Sequence, residues 1–215
     1  MEFALSGINH YLDLADYRRK VHAIYFGVRD RRIPIEQRWS YWVQARNELI
    51  GHHPQSALSV EQRAEFTSLV YYPYELAMRF VLEVDENSDP EILETPLQED
   101  GNFSMKRIGK VNFDVNGEKA SLSLFCILGY AGGLFLPFRD TNTESYQGTR
   151  YLLDTIKGAD LGMEAGKLVL DFNFAYNPSC AYHPRWHCPL APIENWLKVP
   201  IKAGETVYPG AAKEI

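Results

Sequence analysis

The spacing of apolar residues changes period once along the chain, and the change divides it. Between residues 11 and 31 apolar side chains recur at Leu14, Val21, Ile24, Tyr25 and Val28. That is the spacing of an amphipathic helix burying one stripe. Ile33-Pro34 predicts its end, because proline pushes the preceding residue out of the helical region. A second helix is predicted over about residues 35–50, with Trp39, Trp42, Val43, Leu49 and Ile50 on one face. Ser59 and Gln62 have the spacing of a capping box and predict a short third helix reaching Leu69.

Beyond residue 76 the period falls to two. Met78, Phe80, Leu82 and Val84 alternate with their neighbours, as in a half-buried strand. Val111, Phe113 and Val115 alternate into Asn116-Gly117, the pair that suits a two-residue hairpin turn, and Leu122, Leu124 and Cys126 lead back. Further short strands are predicted at residues 134–138, 150–154, 167–172 and 196–201, with Pro137 forcing an edge or a bulge. The expected fold class is α+β. N-terminal helices in residues 1–75 precede a mostly antiparallel sheet in residues 76–215, packed as an open barrel or a sandwich and forming one compact unit with the helices.

Unusual residues concentrate between Gly129 and Asn195. The segment Leu134-Phe135-Leu136-Pro137-Phe138-Arg139-Asp140 is followed by Tyr146 and Arg150-Tyr151-Leu152. Asp171-Phe172-Asn173 then precedes Asn177-Pro178-Ser179-Cys180, and Cys188-Pro189-Leu190 closes the series. Together with His53-Pro54-Gln55-Ser56, Phe66 and Tyr71-Tyr72-Pro73-Tyr74, these motifs make the chain resemble the domain-of-unknown-function family sixteen eighty-four from about Ala45 onward. Thr149 stands where that family often carries glycine. The resemblance marks a region and implies no particular chemistry, so the residues must be read on their own terms.

Arg139 and Arg150 have the chemistry of a bidentate fork for a carboxylate or phosphate. The competing reading pairs Arg139 with Asp140 or Asp171 to lock two loops together, since structural ion pairs imitate sites. Asp171 and Asn173 fall on one face of a strand end. With Asn177 and Tyr176 they would hold a polar ligand or a water, or, as Asx residues commonly do, satisfy loop backbone. On the ligand reading Asp171 and Cys180 are the catalytic candidates, as acid–base group and nucleophile. Arg139, Asp140, Arg150, Tyr151, Asn173 and Asn177 are then the ligand-binding candidates. Hydrolysis is the reaction class considered, because the Gly129–Gly133 stretch fits neither a dinucleotide fingerprint nor a phosphate-binding loop. The alternative is a non-catalytic module in which the same residues form a buried polar network.

Cys180, His183, His187 and Cys188 carry donor types that zinc accepts. Adjacent His187 and Cys188 point apart in most backbones, so two structural thiols are the simpler expectation, and no cofactor is predicted. A Cys180–Cys188 disulfide would close only a short loop, and a reducing compartment disfavours it.

Composition narrows the rest. An aromatic share of 13% and a hydrophobic share of 46% are those of a folded globule rather than a disordered chain. A chain of 215 residues buries roughly 70% of its unfolded surface and needs no disulfide scaffold. The net charge of −6 comes almost wholly from Glu83 to Asp100, where eight acids occur without Lys or Arg. That stretch is expected to be a solvated loop between strands. No basic stripe suits nucleic acid. No apolar run is long enough for a membrane span, and the N-terminus lacks a signal-peptide pattern, so a cytoplasmic location is expected. The expected partner is a small polar or anionic molecule. The amphipathic N-terminal helices are expected to pack on their own sheet or to serve a homodimer.

Overall fold

The computed structural model describes residues 8–97, 101–130 and 132–211. Helix α1 spans Ile8–Val28 and α2 spans Ile35–His52, with the turn at Ile33-Pro34 between them. α1 turns Ile24, Tyr25 and Val28 into the core and leaves Ile8, Tyr11, Leu12 and Phe26 exposed. α3 covers only Val60–Ala64. The capping box predicted for it is present, with Ser59 Oγ accepting from Gln62 N and Gln62 Oε1 accepting from Ser59 N. The helix stops short of Leu69 because other groups claim the chain there. The Gln62 amide donates to the carbonyls of Tyr182 and Gly210, and Leu69 N donates to Asn47 Oδ1.

Eight strands follow: β1 Arg79–Leu82, β2 Ile92–Pro96, β3 Asn102–Val115, β4 Glu118–Ile127, β5 Gly133–Phe138, β6 Arg150–Asp154, β7 Met163–Glu164 and β8 Lys167–Asp171. They form two antiparallel sheets, one ordered β2-β3-β4-β5-β6 and the other β1-β8-β7. Neither sheet closes on itself among the described residues, so they form no closed barrel and a sandwich is compatible. The fold is α+β. Asn116 and Gly117 have φ values of 54° and 88°, the two positive angles that the β3–β4 hairpin turn demands. Pro137 does break register, at a bulge where β5 pairs with β6.

Two expectations need correction. The acidic stretch is not all loop: Ile92–Pro96 pairs with β3 as an edge strand, half-burying Leu93 and Thr95 and pointing Ile92, Glu94 and Pro96 outward. Charge and proline on an edge discourage further pairing. Residues 98–100 of that stretch lie outside the described residues. The predicted strand at residues 196–201 is irregular apart from one bridge between Trp196 and Arg139. Side chains replace its ladder, since Asp140 Oδ1 accepts from Ile201 N at 3.1 Å and Arg150 Nη2 donates to Ile201 O at 3.0 Å.

One hydrophobic cluster joins helices and sheets. It runs from Ile24, Tyr25 and Trp42 through Val111, Leu122 and Leu136 to Leu170, Phe172 and Phe174. Described residues on both sides of residue 76 thus contribute to this cluster.

Candidate functional site

The sequence-derived site residues divide among separate neighbourhoods. Arg150 is 1% exposed and Asp140 is 7% exposed, and their side chains pair at 2.7 Å. Arg150 also donates to the carbonyls of Ala203 and Ile201, and its guanidinium lies 4.9 Å from the Phe138 ring centroid. Asp140 accepts from Asn142 N and Ile201 N. Arg139 faces elsewhere and stacks 4.7 Å from the Trp196 ring centroid. The two arginines thus have different partners, and no fork forms between them. Tyr151 is buried and donates its hydroxyl proton to Pro189 O at 2.7 Å. At Thr149, also buried, Oγ1 accepts from Ala191 N, so a threonine is anchored where the family often has glycine.

A second buried network involves residues that sequence patterning did not single out. Arg46 Nη2 pairs with Glu205 Oε2 at 2.9 Å. Arg46 also donates to Tyr71 Oη, while Tyr182 donates to Glu205 Oε1. Asn177 belongs here: its N donates to Glu205 Oε2 and its Nδ2 donates to Thr206 O. Glu205 reaches this place because Gly204 turns the chain at φ +76°, where a Cβ would stand 2.6 Å from Ala175 O. In the sequence, Ala203-Gly204-Glu205 near the C-terminus carries no chemistry by itself.

Asp171 lies in a third place with Asn173. Its Oδ1 accepts from Asn173 N at 3.1 Å and from Asn173 Nδ2 at 2.8 Å, and its Oδ2 accepts from Tyr74 Oη at 3.2 Å. Asn173 also spans to β1's approach, donating to Glu75 O and accepting from Glu75 N. Burial pushes the Asp171 carboxyl up to about 6, against the hydrogen bonds from Asn173 and the charge of Arg79, which pull it down. Arg79 Nε stands 3.9 Å from Asp171 Oδ2, while Arg79 Nη2 pairs with Glu164 at 2.5 Å.

Above Asp171 the α1–α2 turn meets the small sheet. A cleft of about 420 Å³ is lined by Arg31, Arg32, Ile33, Pro34, Ile35, Arg38, Leu76 and Arg79. A smaller cavity of about 20 Å³ shares Arg31, Ile35, Arg38 and Arg79 with it and has Asp171 and Phe174 on its wall. Arg32 is paired with Asp30 at 2.7 Å. Arg31 and Arg38 are different: among the described residues neither forms an ion pair, and their hydrogen bonds go to the carbonyls of Met163 and Val28. Arg38 Nε is buried with no partner among the described residues. Glu164, held down mainly by its hydrogen bond from Arg79, also feels the charges of Arg31 and Arg38. The sequence signal was Arg29, Arg31, Arg32 and Arg38 crowding the Ile33-Pro34 break. It acquires meaning only when β1 brings Arg79 alongside.

Cys180 sits apart from Asp171's partners, next to Cys188, and the two cysteines are free. His183 uses Nδ1 to accept from Arg185 N in its own loop. Among the described residues no group of three or more His, Cys, Asp or Glu is placed to hold a metal ion. None of their helices is long and apolar enough to cross a membrane.

No curated protein matches the chain. Among solved structures it is similar to the solution NMR structure of an uncharacterized protein of Haloarcula marismortui. The identity is 31%, the match covers 80% of this chain and 93% of that one, and the TM-score is 0.57. The family described as "Protein of unknown function (DUF1684)" matches residues 64–206, a span that holds Arg79 and Asp171 but not Arg31 or Arg38. Over those residues, and with a solved relative at that identity, the chain belongs to this family of unknown function.

Proposed function

We propose that the chain binds a small molecule bearing a phosphate or carboxylate group in the arginine-lined cleft. Arg31 and Arg38 anchor the anion, and Asp171 is the proton-exchanging group at the inner end. The observation that carries this reading is the pair of cleft arginines without carboxylate partners among the described residues, one with a buried Nε that has no partner there either. A guanidinium whose donors remain open favours planar oxyanions. Asp171 stands behind the cleft on the wall of the smaller cavity, and a carboxyl group near pH 6 can take up a proton as negative charge approaches. A hydrolytic version of this reading assigns Asp171 the acid–base role, because a group titrating near neutrality can both give and accept a proton.

A second reading is favoured by the buried pairing of Arg150 with Asp140 and by the backbone bonds of Asp140, Asn173 and Asn177. In it these motif residues hold loops together and take no part in ligand binding. The two readings are compatible, for they concern different residues.

A thermal-shift series with inorganic phosphate, pyrophosphate and citrate tests the anchor. Ligand at a hundredfold its dissociation constant adds about 2.7 kcal/mol of stability. A rise in midpoint that disappears in both Arg31→Ala and Arg38→Ala is the expected outcome. An equal rise in wild type and both variants moves the anion elsewhere and ends the proposal.

A further inference from the structure

The loop after β8 carries a cluster that the arginine cleft does not use. Pro178 leads into one 3-10 turn at Ser179–Ala181, and the chain returns to it at Cys188. Cys180 N donates to the Cys188 sulfur at 3.4 Å. Lys157 adds positive charge to the surroundings of that sulfur. On the far side the Tyr146 hydroxyl lies 3.8 Å from the Cys180 sulfur. Each of the contacts to Cys188 offers it a proton donor or a positive charge.

Such surroundings favour a thiolate, and the thiolate is the reactive form of cysteine. The hydrogen bond from Cys180 and the backbone donors hold the Cys188 thiol down at about 7, against burial, and the same hydrogen bond pushes the Cys180 thiol up. Both sulfurs belong to partly exposed residues, so a small reagent can reach the loop. The third cysteine, Cys126, has among the described residues a long contact to Ile127 O at 3.6 Å. It supplies an internal comparison.

We propose that Cys188 and Cys180 form a dithiol that exchanges with low-molecular-weight disulfides, Cys188 as the attacking sulfur and Cys180 as the resolving one. The Cys188 thiolate attacks one sulfur of a disulfide RSSR, forming a mixed Cys188–S–S–R bond and expelling RS⁻. Cys180 then loses its proton, which the expelled thiolate takes up to become RSH. The Cys180 thiolate attacks the Cys188 sulfur, and the second RS⁻ leaves and is protonated from solvent, which receives the proton that Cys188 first released. Two electrons pass from the dithiol to RSSR, giving one protein disulfide and two thiols. The site lies in a different loop from Arg31, Arg38 and Asp171, so it stands or falls without them.

Oxidised glutathione is the probe, used on the full chain with tryptic mapping by mass spectrometry. Cleavage after Arg185 places the two cysteines on separate peptides, so an internal disulfide joins them. In wild type the joined pair is expected, and reductant should separate it. Cys180→Ser is expected to stop at a glutathione adduct on Cys188, whereas Cys188→Ser should leave Cys180 unmodified under the same exposure. Wild type that keeps all its thiols, or single variants that take up glutathione equally, would overturn the proposal. Trace alkylation of native wild type covers the case in which a serine variant does not fold. Cys188 should then react about tenfold faster than Cys126, and equal rates would contradict it.

Discussion

Arginine appears in two settings in this protein, and the settings differ in what is left over. Around Arg150 the charge is matched inside the fold: one carboxylate and the carbonyls of Ala203 and Ile201 surround a guanidinium that is 1% exposed, although its Nε has no partner among the described residues. At the α1–α2 turn, Arg31 and Arg38 border a cleft, and among the described residues they bond only backbone carbonyls. Arg150 lies within the motif-rich stretch, and Arg31 and Arg38 lie outside it. The motif arginine that is buried is matched by a carboxylate, whereas the cleft arginines outside the motifs are not matched by one among the described residues.

The sharpest way to break the comparison is at the closed end. Arg150→Met strands Asp140 in the interior, and loss of one partner from a buried pair costs about 3–5 kcal/mol. Denaturant unfolding should show that loss, and a change below about 1 kcal/mol, the range of exposed pairs, would mean the pair is not structural. Glu205→Gln should cost nearly as much, about 3 kcal/mol, because it leaves the buried Arg46 charge without its counter-ion.

Asp171→Asn has an effect that depends on pH. Folded Asp171 keeps its proton up to about pH 6, from an ordinary value of 3.8. The folded state thus binds more protons than the unfolded state between those values, and wild type loses stability as pH rises through that window. The substituted carboxamide cannot ionise, so the variant should gain on wild type as pH rises from 3.8 through about 6. Urea midpoints across that range check the sign, and parallel profiles would remove the buried-acid account of Asp171.

How far the sequence foretold these settings can be seen residue by residue. The Asn116-Gly117 hairpin and the Ser59/Gln62 box were legible because each is decided within a few residues. Residues 196–201 were not, because the side chains of Asp140 and Arg150 replace the strand ladder from far along the chain. β2 was hidden because an edge strand tolerates the charge and proline that otherwise signal a loop. Asp171 stands out in the sequence as an Asx residue at a strand end, but its burial depends on Tyr74 and Arg79 arriving from β1's side. The cleft arginines gave the weakest signal of all. Their spacing matches no motif, and their meaning comes from the tertiary approach of a strand far along the chain.

At the open end the expected effects on stability are small. Arg38→Ala removes one carbonyl hydrogen bond and should cost about 1 kcal/mol. Arg31→Ala, at an exposed residue, should cost less than that, within about 0.5 kcal/mol. Arg139→Ala loses the stack on Trp196, which is half-exposed, for about 0.5–1 kcal/mol, and should leave any anion effect intact. An Arg139→Ala variant that lost anion stabilisation while Arg31→Ala kept it would reverse the assignment of the two settings.

The most direct measurement follows the arginine Nε–H resonances by heteronuclear NMR during titration with inorganic phosphate or pyrophosphate at low salt. The signals of Arg31 and Arg38 are predicted to move in proportion to saturation, while those of Arg139 and Arg150 stay in place. Movement confined to Arg139 or Arg150, or no movement of Arg31 and Arg38 while the protein is stabilised by the anion, would contradict the account.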